Sequence, residues 1–281
     1  MSSSTPANYV HSPEFPENYG DFRLISSDRV VFSFPRFLLA HVSPVFKDML
    51  EIGTEYPMGQ QAELRLAENF TTLDQLLRLL DPTKRPLPIH IDTIEGLLES
   101  AQKYQVERVF EHWEEQMKVI DEYGGIIKIR HPMMSFLLAM RFGRDELTTL
   151  ALRELIRAPD KSLSLSEGFM VNHKAITYVY GLRQERSEKL IAHIHKFQKT
   201  IRGFDCCLRP GLALTKDVTP SLILQLIKEP SWNTFEKNMD IWSSCPSPVA
   251  GHIRGSKVVF NDWKAKILEE EMVLPEIPKY F

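Results

Sequence analysis

The chain has 281 residues, 43% of them hydrophobic and 25% charged, enough apolar content for one large or two ordinary domains and too much for a chain disordered throughout. Lys and Arg number 34 against 37 Asp and Glu, a net charge of -3 with a pI near 6.3, so no global field draws it to nucleic acid or an acidic membrane. Three cysteines make no disulfide framework, no basic and apolar leader opens the sequence, and no apolar run approaches the ~18 residues of a membrane span, so the expectation is an intracellular protein, cytoplasmic or nuclear, in a reducing compartment.

Residues 1–20 are rich in Ser, Pro and Asn without apolar periodicity and read as a flexible arm. From Asp21 the pattern changes. Phe22 and Leu24, then Val30, Phe32 and Phe34, alternate with other residues on either side of a turn at Ser27-Asp28, the pattern of a half-buried hairpin. Pro35 ends the second strand, "RFLLAHV" reads as helix, and Ser43-Pro44 pairs an N-cap with a first-turn proline, so one helix stops and a second starts with Val45, Phe46, Met49 and Leu50 on one side. "AELRLA" is a third strand with Leu64 and Leu66 inward. Leu73, Leu76, Leu77 and Leu80 make an amphipathic helix halted by Asp81-Pro82. Asp92 and Glu95 resemble a capping box for a helix burying Ile94, Leu97, Leu98, Ala101 and Tyr104. Val106, Val109, Phe110, Trp113, Met117 and Ile120 then keep helical spacing.

Beyond residue 122 the chain reads as mostly helical. "MMSFLLAMRFG" and "DELTTLALRELIRAP" form a helical pair closed by Pro159, and "DKSLSLSEG" is a loop. A long helix runs from about His173 to Ile201 with Ile176, Val179, Tyr180, Leu190, Ile194, Phe197 and Ile201 on its buried side. From Phe204 onward Pro and Gly recur, interrupted by "SLILQLIKE" and "FNDWKAKILEEEM". No internal repeat is present.

The opening motif is Asp21-x-x-Leu24, Phe32-x-Phe34-x-Arg36-x-x-Leu39-Ala40-x-x-Ser43-Pro44-Val45-Phe46, then "LLRLLDP" and "LLESAQKYQVERV". This order resembles the BTB/POZ domain family over residues 21–122. The short interstrand segments, the "DPTKRPLP" loop and the helical C-terminal half look most like its fungal branch. The pattern beyond residue 122 reads as a helical extension at 123–204 and an irregular, partly helical region at 205–281; the resemblance implies an α+β fold, a small sheet wrapped by helices. It also implies protein–protein interaction rather than catalysis, with no cofactor.

Family dimers set a His-Arg or His-Lys pair beside the strand-one aspartate. Here Asp21 and Arg36 match, and Pro35 stands where the histidine would be. Cullin-binding relatives place a hydrophobic residue two positions before a glutamate after the second helix. In the segment Met49 to Glu55, Gly53 holds that position and Ile52 is one residue out of register, which weakens the match. Family dimers also bury apolar surface from the first helix. Phe37, Leu38 and Leu39 are consecutive and span about 200° of a helix, more than one inward stripe needs. Leu39 matches the family's core leucine, which leaves Phe37 or Leu38 to meet a second copy in a homodimer. The competing arrangement has the C-terminal half fold back over this surface and keep the chain monomeric.

Other constellations have plainer readings. Cys206, Cys207, Cys245 and His252 could supply zinc ligands, but adjacent cysteines plus a lone one lack the paired spacing that aims two thiolates at one ion, so buried or half-buried thiols are expected and no metal. His193 and His195 point to different helix faces. Arg183, Arg186, Lys189, Lys196, Lys199 and Arg202 are interrupted by Glu185 and Glu188, the pattern of a solvated face rather than a nucleic-acid surface. Trp232, Trp242 and Trp263 read as anchors of an irregular core. No G-x-S-x-G, H-E-x-x-H, P-loop or G-x-G-x-x-G motif is present. The expected function is therefore an interaction scaffold or regulator and no enzyme, with a cullin ubiquitin ligase adaptor second and a metal-dependent enzyme third.

Overall fold

The computed structural model describes residues 9–52, 63–120, 126–159, 172–201 and 222–231, with single positions at 163, 234 and 265. The chain divides into two compact units, Met1–Gly125 and Ile126–Phe281.

Unit 1 is built on a four-stranded sheet of β1 (Val10–His11), β2 (Phe22–Ile25), β3 (Val30–Phe34) and β4 (Glu63–Arg65), in the order β1-β3-β2-β4. The hairpin forms as its alternation predicts: β2 and β3 are antiparallel with Phe22 opposite Phe34 and Leu24 opposite Phe32. At the turn Arg29 takes a φ of 67°, and the Val30 amide donates to Ser26 Oγ at 2.9 Å. Both outer strands run parallel to their neighbours, β1 to β3 and β4 to β2.

The helices follow in sequence order: α1 (Arg36–Val42), α2 (Pro44–Ile52), α3 (Phe70–Leu80), α4 (Ile91–Tyr104) and α5 (Glu107–Met117), then strand β5 (Lys118–Ile120). Asn69 caps α3 by accepting from the Thr72 amide. Leu24, Phe32, Leu39, Phe46, Leu76 and Trp113 are among the side chains fully withdrawn from solvent in this core.

The arm expected at residues 1–20 is corrected over 9–20. Phe15 is fully buried, 6.1 and 5.5 Å from the rings of Phe32 and Phe34, with Tyr19 edge-on at 5.3 Å. The Ser12 amide donates to the Val31 carbonyl, the Ser33 amide donates to the Phe15 carbonyl, Tyr19 donates to Asp81, and Lys84 Nζ reaches the Glu14 carbonyl. A segment held by one ring and a few long-range hydrogen bonds has no period to read, which is why composition misled. Two smaller expectations also change. His90 holds the N-cap of α4, so Asp92 sits inside the first turn rather than capping it. The helix of Val109 and Trp113 ends at Met117, and Ile120 lies in β5, 54% exposed.

Unit 2 contains β6 (Ile126–Ile129), α6 (Pro132–Arg141), α7 (Asp145–Arg157), α8 (His173–Ile201) and a helical segment at 222–228. Every residue from Met133 to Ala139 is buried, which makes α6 the central helix of the unit. Asn172 accepts from the Ala175 amide and starts α8. On α8, Val179 and Leu190 are buried as expected, but Tyr180 is 50% exposed and Arg183 is only 3% exposed. Tyr180 is thus removed from the expected buried side and Arg183 from the expected solvated face. Arg183 turns inward because helix-end carbonyls there accept its guanidinium.

Several expectations lie outside the described residues: the loop beyond Asp160 except Leu163, Arg202, Trp232, Trp242, Trp263, and the side chains of Ile194, Phe197, Lys199 and Ile201.

Candidate protein-interaction surface

The corner formed by α1 and α2 is assembled from the sequence upward, beginning at Gly20. A Cβ there would stand 2.1 Å from the Phe34 carbonyl carbon and 2.5 Å from the Pro35 nitrogen, so only glycine lets the chain cross this point. The crossing brings Asp21 to the start of α1. Pro35 occupies the N-cap of α1 and has no side-chain oxygen to offer, and Asp21 Oδ1 accepts from the Arg36 amide at 2.8 Å in its place. The Arg36 guanidinium reaches the other end of the corner, where Nη2 donates to the Leu50 carbonyl in the last turn of α2 at 2.6 Å.

Ser43 joins the two helices. Its backbone amide closes α1 on the Leu39 carbonyl, its Oγ accepts from the Phe46 amide at 3.0 Å, and the same hydroxyl donates to the Tyr104 carbonyl at 2.6 Å. The Ser-Pro break is thereby tied to the end of α4.

On α1, Leu39 is fully buried, Leu38 is half-buried, and Phe37 is 70% exposed, the highest value for a large apolar side chain among the described residues. On α2, Phe46 and Leu50 face the core, Met49 is half-buried, and Lys47, Asp48 and Glu51 are exposed. Ile52 is the last residue of α2, with its side chain outside the described residues, as are Gly53 and Glu55. The structure therefore joins Asp21, Arg36, Phe37, Leu38 and Met49 in one corner. Asp21 and Arg36 act there as caps within the chain.

Besides Ile120, three exposed apolar side chains described in unit 1 were not singled out in the sequence: Val10 at 65%, Leu87 at 43% and Tyr9 at 37%. Val10 and Tyr9 lie in the stretch read as an arm, and a two-residue strand carries no alternation to find. Cys206, Cys207, Cys245 and His252 lie outside the described residues. Among the described residues no three His, Cys, Asp or Glu side chains gather as a metal-binding group, and no helix is long and apolar enough to cross a membrane.

A hairpin feeding a Ser-Pro-broken helix pair, with a small sheet wrapped by further helices, defines an α+β architecture. A family model of the BTB/POZ domain matches residues 13–120, and this part of the chain is a BTB/POZ domain followed by a mostly helical extension. Its start at residue 13 takes in Phe15 and Tyr19. Domains of this family generally serve protein–protein interaction. No curated protein matches the chain.

Proposed function

We infer that the protein is a non-catalytic interaction scaffold or regulator that works through its BTB/POZ domain, by self-association or by binding a partner protein. The observation that carries this reading is Phe37, a large apolar side chain left 70% exposed on a helix whose ends are both fixed, by Asp21 and by Ser43. Burying such a ring contributes ~1.5–3 kcal/mol per copy. The short interstrand segments, the proline-rich loop after α3 and the helical C-terminal half support a likeness to the fungal branch of the family.

Sedimentation of the full-length protein beside its Phe37→Asp variant tests the reading. A dimer that becomes monomeric on substitution supports homotypic binding. A dimeric fragment of residues 9–125 with a monomeric parent means that the C-terminal half caps the surface. Monomers throughout, unchanged by Phe37→Asp, exclude self-association through α1.

A second reading, adaptor for a cullin ubiquitin ligase, draws on α2 running unbroken to Ile52 with its last turn held by Arg36. It requires binding of a purified cullin N-terminal domain in calorimetry. No heat at tens of micromolar, ~6 kcal/mol of affinity, excludes it.

A further inference from the structure

Within unit 2, α8 carries a face that reads main-chain carbonyls. Arg183 Nη1 donates to the carbonyls of Leu155 and Ala158, each at 2.6 Å, and Nη2 donates to the Lys228 carbonyl at 2.9 Å. Ser187 Oγ lies 2.9 Å from the Arg183 carbonyl and 3.0 Å from that of Leu226, and Arg186 Nε donates to the Pro230 carbonyl. Apart from the Arg183 carbonyl within α8 and that of Pro230 two residues past the short helix, these acceptors lie at the C-terminal ends of α7 and of the helical segment at 222–228, where orphan carbonyls concentrate partial negative charge.

The segment at 222–231 is held like a ligand. A seven-residue helix does not persist alone in water. Leu222 and Leu226 are fully buried, while Leu224 and Ile227 on the same helix are 60% and 55% exposed. Arg183 is anchored on α7 through Nη1, so its second arm stays aimed at the site when the segment leaves. Twenty residues, 202–221, separate the segment from α8 in the sequence.

We propose that residues 222–231 are a detachable clasp, and that the Arg183, Arg186 and Ser187 face of α8 also binds the clasp of a second copy, so that two chains exchange them. The site reads carbonyls and two leucines, so the ligand whose fit is guaranteed is this same segment. Exchange keeps every one of these hydrogen bonds and lets a new contact between copies cover Leu224 and Ile227. This is independent of the α1 surface.

Full-length chains with complementary defects test it, all carrying Phe37→Asp so that α1 association is silent. One chain carries Arg183→Met with Arg186→Met and keeps its clasp. The other carries Leu222→Asp with Leu226→Asp and keeps its receptor. Each alone is expected to sediment as a monomer and the equimolar mixture to form a heterodimer; a mixture that sediments as the sum of its parts overturns exchange. Should the buried arginine prove necessary for folding, hydrogen exchange on the unsubstituted chain decides. Amides of 225–229 and of Ser231 are expected to exchange at least 100-fold faster than those of 136–139 in α6, with protection that rises with protein concentration. Equal rates in the two segments, or protection independent of concentration, overturn the proposal.

Discussion

Tyr104 shows how much a single side chain in this fold connects. It is fully buried, stacks on Phe46 at 4.4 Å, and donates from its hydroxyl to Glu68 Oε2 at 2.7 Å, while Lys103 Nζ donates to Oε1 at 2.8 Å. Burial works against ionisation of Glu68, but the hydrogen bonds from Lys103 and Tyr104 outweigh it and hold the carboxyl below its ordinary value. A carboxylate depressed in the folded state gives stability that is complete above the unfolded value, about 4, and is lost as pH falls through the lower folded value. Asp81 is shifted the same way: burial opposes its ionisation, and the hydrogen bonds from Tyr19 and Thr83 prevail. Urea unfolding followed against pH is therefore expected to show stability falling below about pH 4, and Glu68→Gln is expected to make that fall shallower while costing about 1–2 kcal/mol at neutral pH. An unchanged acid limb in the variant would remove Glu68 from the account. The burial of Tyr104 was legible from its place in the helical stripe. Its partner was not, because Glu68 lies thirty-six positions away in a loop, and nothing periodic marks a loop carboxylate.

At the scale of elements, the end of α4 is closed by a residue in the left-handed region. Gln105 has a φ of 52°, its amide donates toward Ala101 and Gln102, and the Val106 amide donates to the Ala101 carbonyl at 2.8 Å, the double closure that glycine favours. Gln105→Gly is expected to raise stability by up to about 1 kcal/mol, since an L side chain costs roughly that much here. A loss in thermal or urea midpoint would mean that the glutamine side chain contributes a contact. The hairpin, the Ser-Pro corner and α3 were all readable because each repeats an apolar period or combines a cap with a proline. Strand β1 was not, and neither was the cap supplied to α1 by Asp21, fifteen positions before the amide it serves. Arg183 was misread for a related reason. A cation on a helix with acidic neighbours has the pattern of a solvated face, and only tertiary packing shows that carbonyl acceptors wait on its other side.

At the scale of the molecule, the N-terminal unit is larger than the sequence motif that announces it. A fragment of residues 21–122 lacks Phe15 and its hydrogen-bonded strap, and removing a fully buried Phe typically costs ~3–5 kcal/mol. Against a typical domain stability of ~5–15 kcal/mol, that loss leaves the shorter fragment marginal. A fragment of residues 9–125 is expected to unfold cooperatively in urea, with a midpoint well above that of 21–122. Equal midpoints would show that the strap is ornamental to the fold.

The sheet order β1-β3-β2-β4 also has a consequence for a chain emerging from the ribosome. Strand β1 is out before β3, so one edge of the β2–β3 hairpin can be covered as soon as the hairpin closes. The other edge, along β2, waits for β4, and thirty-eight positions separate Ile25 from Glu63. At ~5–20 residues per second that wait lasts seconds, during which an apolar strand edge invites pairing with neighbouring nascent chains. Arg23 is the charged residue within the two hairpin strands, and it sits on β2, the strand that waits. When β4 arrives, its register sets Glu63 beside Arg23. In the finished sheet the Arg23 guanidinium pairs with Glu17 and Glu63 with Arg65, so the charge that guards the open edge is answered from the N-terminal strap rather than from the strand that closes it.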